Sequence, residues 1–290
     1  MCRLFGFRSV IKSQVHRSLI SAENALSVQS ERHPDGWGVA YYIGGAPHLI
    51  KSASTAVSDA IFHRVSGVVS SETVVAHIRR ATQGALSPLN SHPFQYGSWI
   101  FAHNGNVAGF SEHRAALVDR IEPHYRRFIL GDTDSEILFY LLLTHMSRRA
   151  SVHADTYSVE DLASSVRDMI DDVTEEVGNF STDPVNEATT GTFLTFIVTN
   201  NRVMLAHQGG QPLYYSTYKN RCPERDTCPS FADECEMVTR SGFVNHLVFS
   251  SEILHGENVW VEMTPGQLVG VDRRMHLCDY SGASLAAAAI

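Results

Sequence analysis

Two rhythms of apolar residues run along this chain, one of period two and one of period near 3.6. Alternation around glycine over residues 3–9 predicts a strand at the very start. Leu19, Ile20, Ala25 and Leu26 have helical spacing, which predicts a helix over residues 18–28. Residues 37–43 form a β-rich run, and Gly44-Gly45 turns it into a second strand at 48–50. A short helix is expected over 57–65, then buried strands over 73–78 and 98–102. Thr133-Asp134-Ser135-Glu136 has capping-box form before a helix running through His145. Ser158 opens another helix, with Leu162, Val166, Met169, Ile170, Val173 and Val177 on one face. Strand signals return at 192–199, 203–206, 213–218, 247–250, 259–261 and 267–271.

Strands grouped in runs on either side of two helices, with no βα alternation, predict an α+β fold of mostly antiparallel sheets. With 290 residues, 43% of them hydrophobic, the chain can build a sizeable core. A net charge of −8 and scattered basic pairs (Arg79-Arg80, Arg126-Arg127, Arg148-Arg149) argue against a nucleic-acid partner. No apolar run nears the roughly 20 residues of a membrane span. The start has no apolar stretch of signal-peptide length, so no membrane partner and a cytoplasmic location are expected. Residues 2–283 read as a single domain, and the alanine-rich 284–290 as a tail.

Five cysteines in such a chain point to thiols, a metal site or a nucleophile, not to a disulfide framework. Cys2 is the candidate nucleophile. A small residue after Met1 favours removal of that methionine, which leaves Cys2 with a thiol and a free α-amine. An amine with pKa near 7.7–8.0 suits a base at neutral pH, so one residue supplies both nucleophile and proton acceptor. Arg79 ends a strand and has the geometry to grip a carboxylate. Asn104 and the Gly105 N–H form an oxyanion hole if they face the nucleophile. Asp134, in the first turn of a helix, either favours the positive helix end or holds an ammonium. Cys222, Cys228 and Cys235 lie in an insertion over 219–245. They are candidate metal ligands, with Cys278 or His246 as a fourth, although their spacing is not C-x₂-C. His33, His92 and His103 lie near these motifs and read as shaping residues.

Together the motifs are more specific. Met1-Cys2-Arg3, Asp35-Gly36-Trp37-Gly38, Arg79 with Ala81-Thr82, Asn90-Ser91-His92-Pro93-Phe94, His103-Asn104-Gly105, Thr133-Asp134-Ser135-Glu136 and Ser250-Ser251-Glu252 occur in family order. In this the chain resembles the class II, N-terminal-nucleophile glutamine amidotransferases, and in particular their YafJ-like stand-alone branch. The resemblance implies a four-layer α-β-β-α sandwich, the N-terminal-nucleophile hydrolase fold. It implies an amidohydrolase that cleaves the γ-amide of glutamine or a γ-glutamyl compound through a Cys2 thioester, with no cofactor. Asn104 and Gly105 would hold the oxyanion, Arg79 the α-carboxylate with Thr82 nearby, and Asp134 the α-ammonium. Where the glucosamine-phosphate enzymes of this family have an aromatic residue after the substrate arginine, this chain has Arg80, a second cation. Many relatives carry a synthase domain that consumes the ammonia; here either a separate ammonia-accepting or peptidase-like partner takes that place, or the enzyme is a plain hydrolase of a γ-glutamyl amide or peptide, the reading preferred. The alternatives are an N-terminal-cysteine acylase of the choloylglycine-hydrolase type and a non-catalytic amidotransferase-like subunit.

Overall fold

The computed structural model describes residues 2–15, 17–154, 156–187 and 190–280. Met1 and the 284–290 tail, on which two of the expectations above fall, lie outside the described residues. In chain order the strands and helices are β1 (Arg3–Gln14), α1 (Leu26–Gln29), β2 (Trp37–Ile43), β3 (Ala46–Ser52), α2 (Ala60–Val68), β4 (Ser70–Ile78), β5 (Phe94–Tyr96) and β6 (Trp99–Asn106). The helices α3 (Phe110–Arg120), α4 (Pro123–Arg126), α5 (Asp134–Arg149) and α6 (Val159–Val177) follow. The chain then returns to strands: β7 (Phe193–Thr199), β8 (Met204–His207), β9 (Tyr214–Ser216), β10 (His246–Ser250), β11 (Val261–Glu262), β12 (Leu268–Val271) and β13 (Leu277–Tyr280).

Among the described residues the strands form a seven-stranded sheet, ordered β11-β9-β10-β1-β4-β2-β3, and a six-stranded sheet, ordered β13-β12-β8-β7-β6-β5. Neighbouring strands pair antiparallel throughout, as the grouped strand signals predict. Three apolar clusters separate four layers. Leu4, Val75, Ala102, Ile197 and Phe249 fill the space between the sheets. Phe5, Trp37, Phe62, Val65 and Ala76 bind α2 to the outer face of the first sheet. Phe101, Phe196, Leu117, Phe139, Leu142, Val166 and Met169 bind α3, α5 and α6 to the outer face of the second. The architecture is therefore the four-layer α-β-β-α sandwich. Leu4 and Phe5, adjacent in β1, enter different clusters because successive strand side chains point to opposite faces.

Several boundaries differ from the sequence reading. The expected helix over 18–28 shrinks to α1 and one irregular turn, because Asn24 is used elsewhere. Its amide donates to the Ile253 carbonyl at 2.7 Å and its Oδ1 accepts from the His255 N–H at 2.9 Å. The expected helix at 57–65 starts later, where the Asp59 carboxylate caps it by accepting from the Ile61 N–H at 2.8 Å. Helix α3 shows little apolar periodicity, burying only Phe110 and Leu117, and the pattern does not reveal it. The short β5 and β13 also escape, each too brief to establish a rhythm. Thr133 and Ser158 cap α5 and α6 as expected, accepting from the Glu136 and Asp161 N–H groups at 3.3 and 3.0 Å. Glu136 reaches not to Thr133 but to the Leu130 and Gly131 N–H groups, at 3.1 and 2.7 Å. No helix among the described residues is long and apolar enough to cross a membrane.

Candidate active site

The register of β1 on β4 places the chain start beside the end of β4, with Arg3 opposite Ile78. Cys2 is buried there, 7% exposed. Its thiol donates to the Arg80 carbonyl at 3.3 Å, and its Sγ accepts from the Arg80 N–H at 3.2 Å. Burial pushes the thiol pKa above its ordinary value. The Arg80 N–H and the Arg79 charge oppose that shift, and Asp134 adds to it. Cys2, Arg79 and Asp134 thus lie within electrostatic reach of one another, brought together from β1, the loop after β4 and the start of α5.

The loop after β4 is held by the Asp35-Gly36 turn. Arg79 N–H donates to the Gly36 carbonyl at 2.7 Å, and Ala81 N–H to the Asp35 carboxylate at 2.8 Å. The Arg79 guanidinium is buried and donates to three carbonyls of its own loop: Gln83 at 2.8 Å, Ala85 at 3.1 Å and Gly84 at 3.3 Å. Asn90 ties that loop to the next, donating to the Ala85 carbonyl at 3.0 Å and accepting from the Asp132 N–H at 3.1 Å. Thr82 lies exposed on the same loop.

Asp134 is buried, and its oxygens accept from the Val107 and Ser135 N–H groups, both at 2.8 Å. Asn104 and Gly105 lie inside β6, opposite Thr195 and Leu194 of β7, because the strand runs on past the expected end at residue 102. A Cβ on Gly105 would overlap both the Phe193 carbonyl and the His103 ring, so only glycine fits there. The two sheets meet at this level, where the His77 ring lies 3.2 Å from the His103 carbonyl. His77, His92 and His103 are buried, with the His77 and His92 ring centroids 4.2 Å apart. Burial keeps all three neutral, the His77 pKa falling to about 3.

A cleft of about 540 Å³ opens at the start of β1, lined by Arg3, the residue after Cys2, and by Asn104, Gln211, Tyr214, Ser251 and Glu252 among others. Ser251 fixes its floor, accepting from the Leu4 N–H at 3.0 Å while its own N–H donates to the Leu4 carbonyl at 3.1 Å. Arg3 donates to the Cys2 carbonyl at 3.3 Å and pairs with Glu252 at 3.1 Å. Gln211 and Tyr214 carry no periodic or motif signal that marks them for a cleft; only the fold gathers them beside Arg3 of the Met1-Cys2-Arg3 motif. Cys222, Cys228 and Cys235 of the 219–245 segment all line one cavity, with His246. Among the described residues no group of three or more metal-ligand side chains could hold an ion. The Sγ of Cys235 instead accepts from the Asn245 amide at 3.0 Å, which leaves the expected three-cysteine metal site without a geometry.

The profile of the family described as glutamine amidotransferases class-II matches residues 1–277. Among similar proteins, the probable glutamine amidotransferase DUG3 of Saccharomyces cerevisiae is 32% identical over 165 residues, 51% of this chain and 46% of its own. The gamma-glutamyl-hercynylcysteine sulfoxide hydrolase of Mycobacterium tuberculosis is 32% identical over 117 residues, 37% of this chain and 50% of its own. The matched stretches thus span about half of each relative. A glutamine aminotransferase class-II domain protein from Silicibacter pomeroyi superposes with a TM-score of 0.62 at 19% identity, covering 98% of this chain and 100% of that one. With the family profile spanning nearly the whole chain, and the sandwich and the gathered motifs in agreement, the protein belongs to the class II glutamine amidotransferases.

Proposed function

We propose that this protein is an amidohydrolase that removes the γ-glutamyl group from glutamine or a γ-glutamyl amide, with water as the acceptor. The convergence of Cys2, Arg79 and Asp134 at the meeting of β1, β4 and α5 carries this reading. A nucleophile beside one buried cation and one buried anion suits a zwitterionic amino-acid head group.

With Met1 removed, the α-amine of Cys2 takes the thiol proton as Sγ attacks the γ-carbonyl carbon. The Asn104 side-chain amide and the Gly105 N–H steady the oxyanion. The C–N bond then breaks and the amine departs with the proton, leaving a γ-glutamyl thioester on Cys2. Water, deprotonated by the same α-amine, attacks the thioester. The C–S bond breaks, glutamate leaves and the sulfur regains its proton. Arg79 holds the α-carboxylate, with Thr82 beside it, and Asp134 holds the α-ammonium.

The M. tuberculosis relative, named as a γ-glutamyl hydrolase, supports hydrolysis as the reaction type. The test is glutamate release from glutamine, γ-glutamyl peptides and apolar acyl amides by the wild type and Cys2→Ala. The reading expects glutamate from γ-glutamyl compounds alone, and none from the variant. Cleavage of acyl amides instead would favour an acylase, and no turnover at all a non-catalytic subunit.

A further inference from the structure

The cleft at the start of β1 contains two buried polar atoms without partners among the described residues. Gln211 is 3% exposed and its Nε2 finds no acceptor there; Asn104 is 2% exposed and its Oδ1 finds no donor there. Leaving such groups unpaired costs roughly 1–3 kcal/mol each, so their survival in one cleft marks a place where a ligand completes them.

The fold holds Gln211 there deliberately. Thr195, the register partner of Asn104, accepts from the Gln211 and Gly209 N–H groups at 3.0 and 2.9 Å and donates to the Gln211 carbonyl at 3.0 Å. A Cβ at Gly209 would press on the Leu194 backbone at 2.5 Å, and Gly210 has φ +94°, so the turn that presents Gln211 needs both glycines. Arg3 and Tyr214 add donor groups to the cleft, and the one carboxylate among its lining residues, Glu252, is paired with Arg3. The Arg3 guanidinium stands one residue from the nucleophile, 3.1 Å from Glu252. Tyr214 lines the same wall, and burial together with Glu262 and Glu252 keeps its hydroxyl protonated. The cleft volume of about 540 Å³ also far exceeds what ammonia needs, a molecule of about the size of water, which occupies roughly 30 Å³ in the liquid.

We infer that this cleft is the subsite for the departing amine, and that Gln211 and Arg3 there read the carboxylate of an amino acid or short peptide attached to the γ-glutamyl group. The inference rests on the proposed hydrolase reading and narrows its substrate to γ-glutamyl amino acids and peptides over glutamine itself. An amine that carries a carboxylate supplies the acceptor that Gln211 Nε2 lacks, and its own N–H is a donor for Asn104 Oδ1. Ammonia offers no such acceptor.

The test compares γ-glutamylglycine with γ-glutamylethylamide, which has nearly the same length and no carboxylate. Wild-type kcat/KM should favour γ-glutamylglycine at least tenfold, and Gln211→Leu should narrow that ratio to about twofold. A ratio near one or reversed in the wild type overturns the subsite while leaving the hydrolase reading intact. A wild-type preference that Gln211→Leu does not narrow removes Gln211 from the subsite. Glutamate released from neither substrate nor from glutamine overturns both. The ratio is read within one protein preparation, so a loss of folded material does not imitate the effect.

Discussion

The sulfur of Cys2 is bracketed by the two backbone polar groups of one residue, Arg80, whose N–H lies 3.2 Å from it and whose carbonyl lies 3.3 Å from it. The bracket fixes the thiol at the end of β4 without using any side chain. It also shows why a base is needed: burial raises the thiol pKa, so the sulfur is protonated at neutral pH.

The pH dependence of kcat/KM follows. If the α-amine is the base, the rate falls as that amine is protonated below about pH 7.7–8.0. It should drop about tenfold per pH unit below 7 and level off near pH 8. The histidines near the site do not impose an inflection near 6.5, since burial holds His77 and His92 neutral well below it and lowers His103 as well. Initial rates of glutamate release from pH 5.5 to 9 check this. An inflection near 6.5 would assign the base to a histidine.

Asp35 holds the segment that carries Arg79. Replacing it with alanine strips the Ala81 N–H of its acceptor and frees the loop carrying Arg79. Asp35→Ala should cost about 1–3 kcal/mol of stability, read from urea unfolding, and raise KM for γ-glutamyl substrates several-fold. An unchanged KM would show that the loop holds Arg79 without help.

Gly105 is a packing constraint as well as an N–H donor. In Gly105→Ala the new methyl meets the Phe193 carbonyl and the His103 ring. The expected loss is about 1–3 kcal/mol, visible as a lower urea midpoint with an unaltered slope. Wild-type stability in this variant would mean that β6 and β7 sit further apart at this point than described.

Buried neutral histidines make the fold acid-sensitive. His77 and His207 titrate in the folded protein at about 3 and about 4, lowered by burial, whereas unfolded histidine takes up its proton near 6.5. Their contribution is complete above pH 6.5 and is lost as the pH falls toward 4. At pH 5.5 each costs on the order of 1 kcal/mol of stability. Urea midpoints at pH 7.5 and 5.5 should differ accordingly. Equal midpoints would mean that these rings are solvated.

Much of the layered design was legible because its strands are either fully buried runs or clean alternations. β4, β6 and β7 are buried along nearly their whole length and carry the apolar runs Val74–Ala76, Trp99–Ala102 and Phe196–Val198, since each lies in a sheet packed on both faces. The capped helices α5 and α6 announced themselves through Thr133 and Ser158. Helix α3 did not, because it buries only Phe110 and Leu117 and presents charge elsewhere. The candidate site was legible only in part. Cys2, Arg79 and Asp134 belong to recognisable motifs, and the structure brings them together. Gln211 and the Arg3–Glu252 pair owe their place to long-range folding, since residues 3 and 252 meet only because β10 lies beside β1. The cysteines at 222, 228 and 235, close in sequence, also line one cavity, yet among the described residues they form no group able to hold an ion, and Cys235 accepts from Asn245.

The most direct test of the nucleophile is mass spectrometry of the purified protein after treatment with a diazo-ketone analogue of glutamine. The account predicts a chain that begins at Cys2 and carries one adduct, mapped to that residue and absent in Cys2→Ala. A chain that retains Met1, or an adduct elsewhere with Cys2 unmodified, would contradict it.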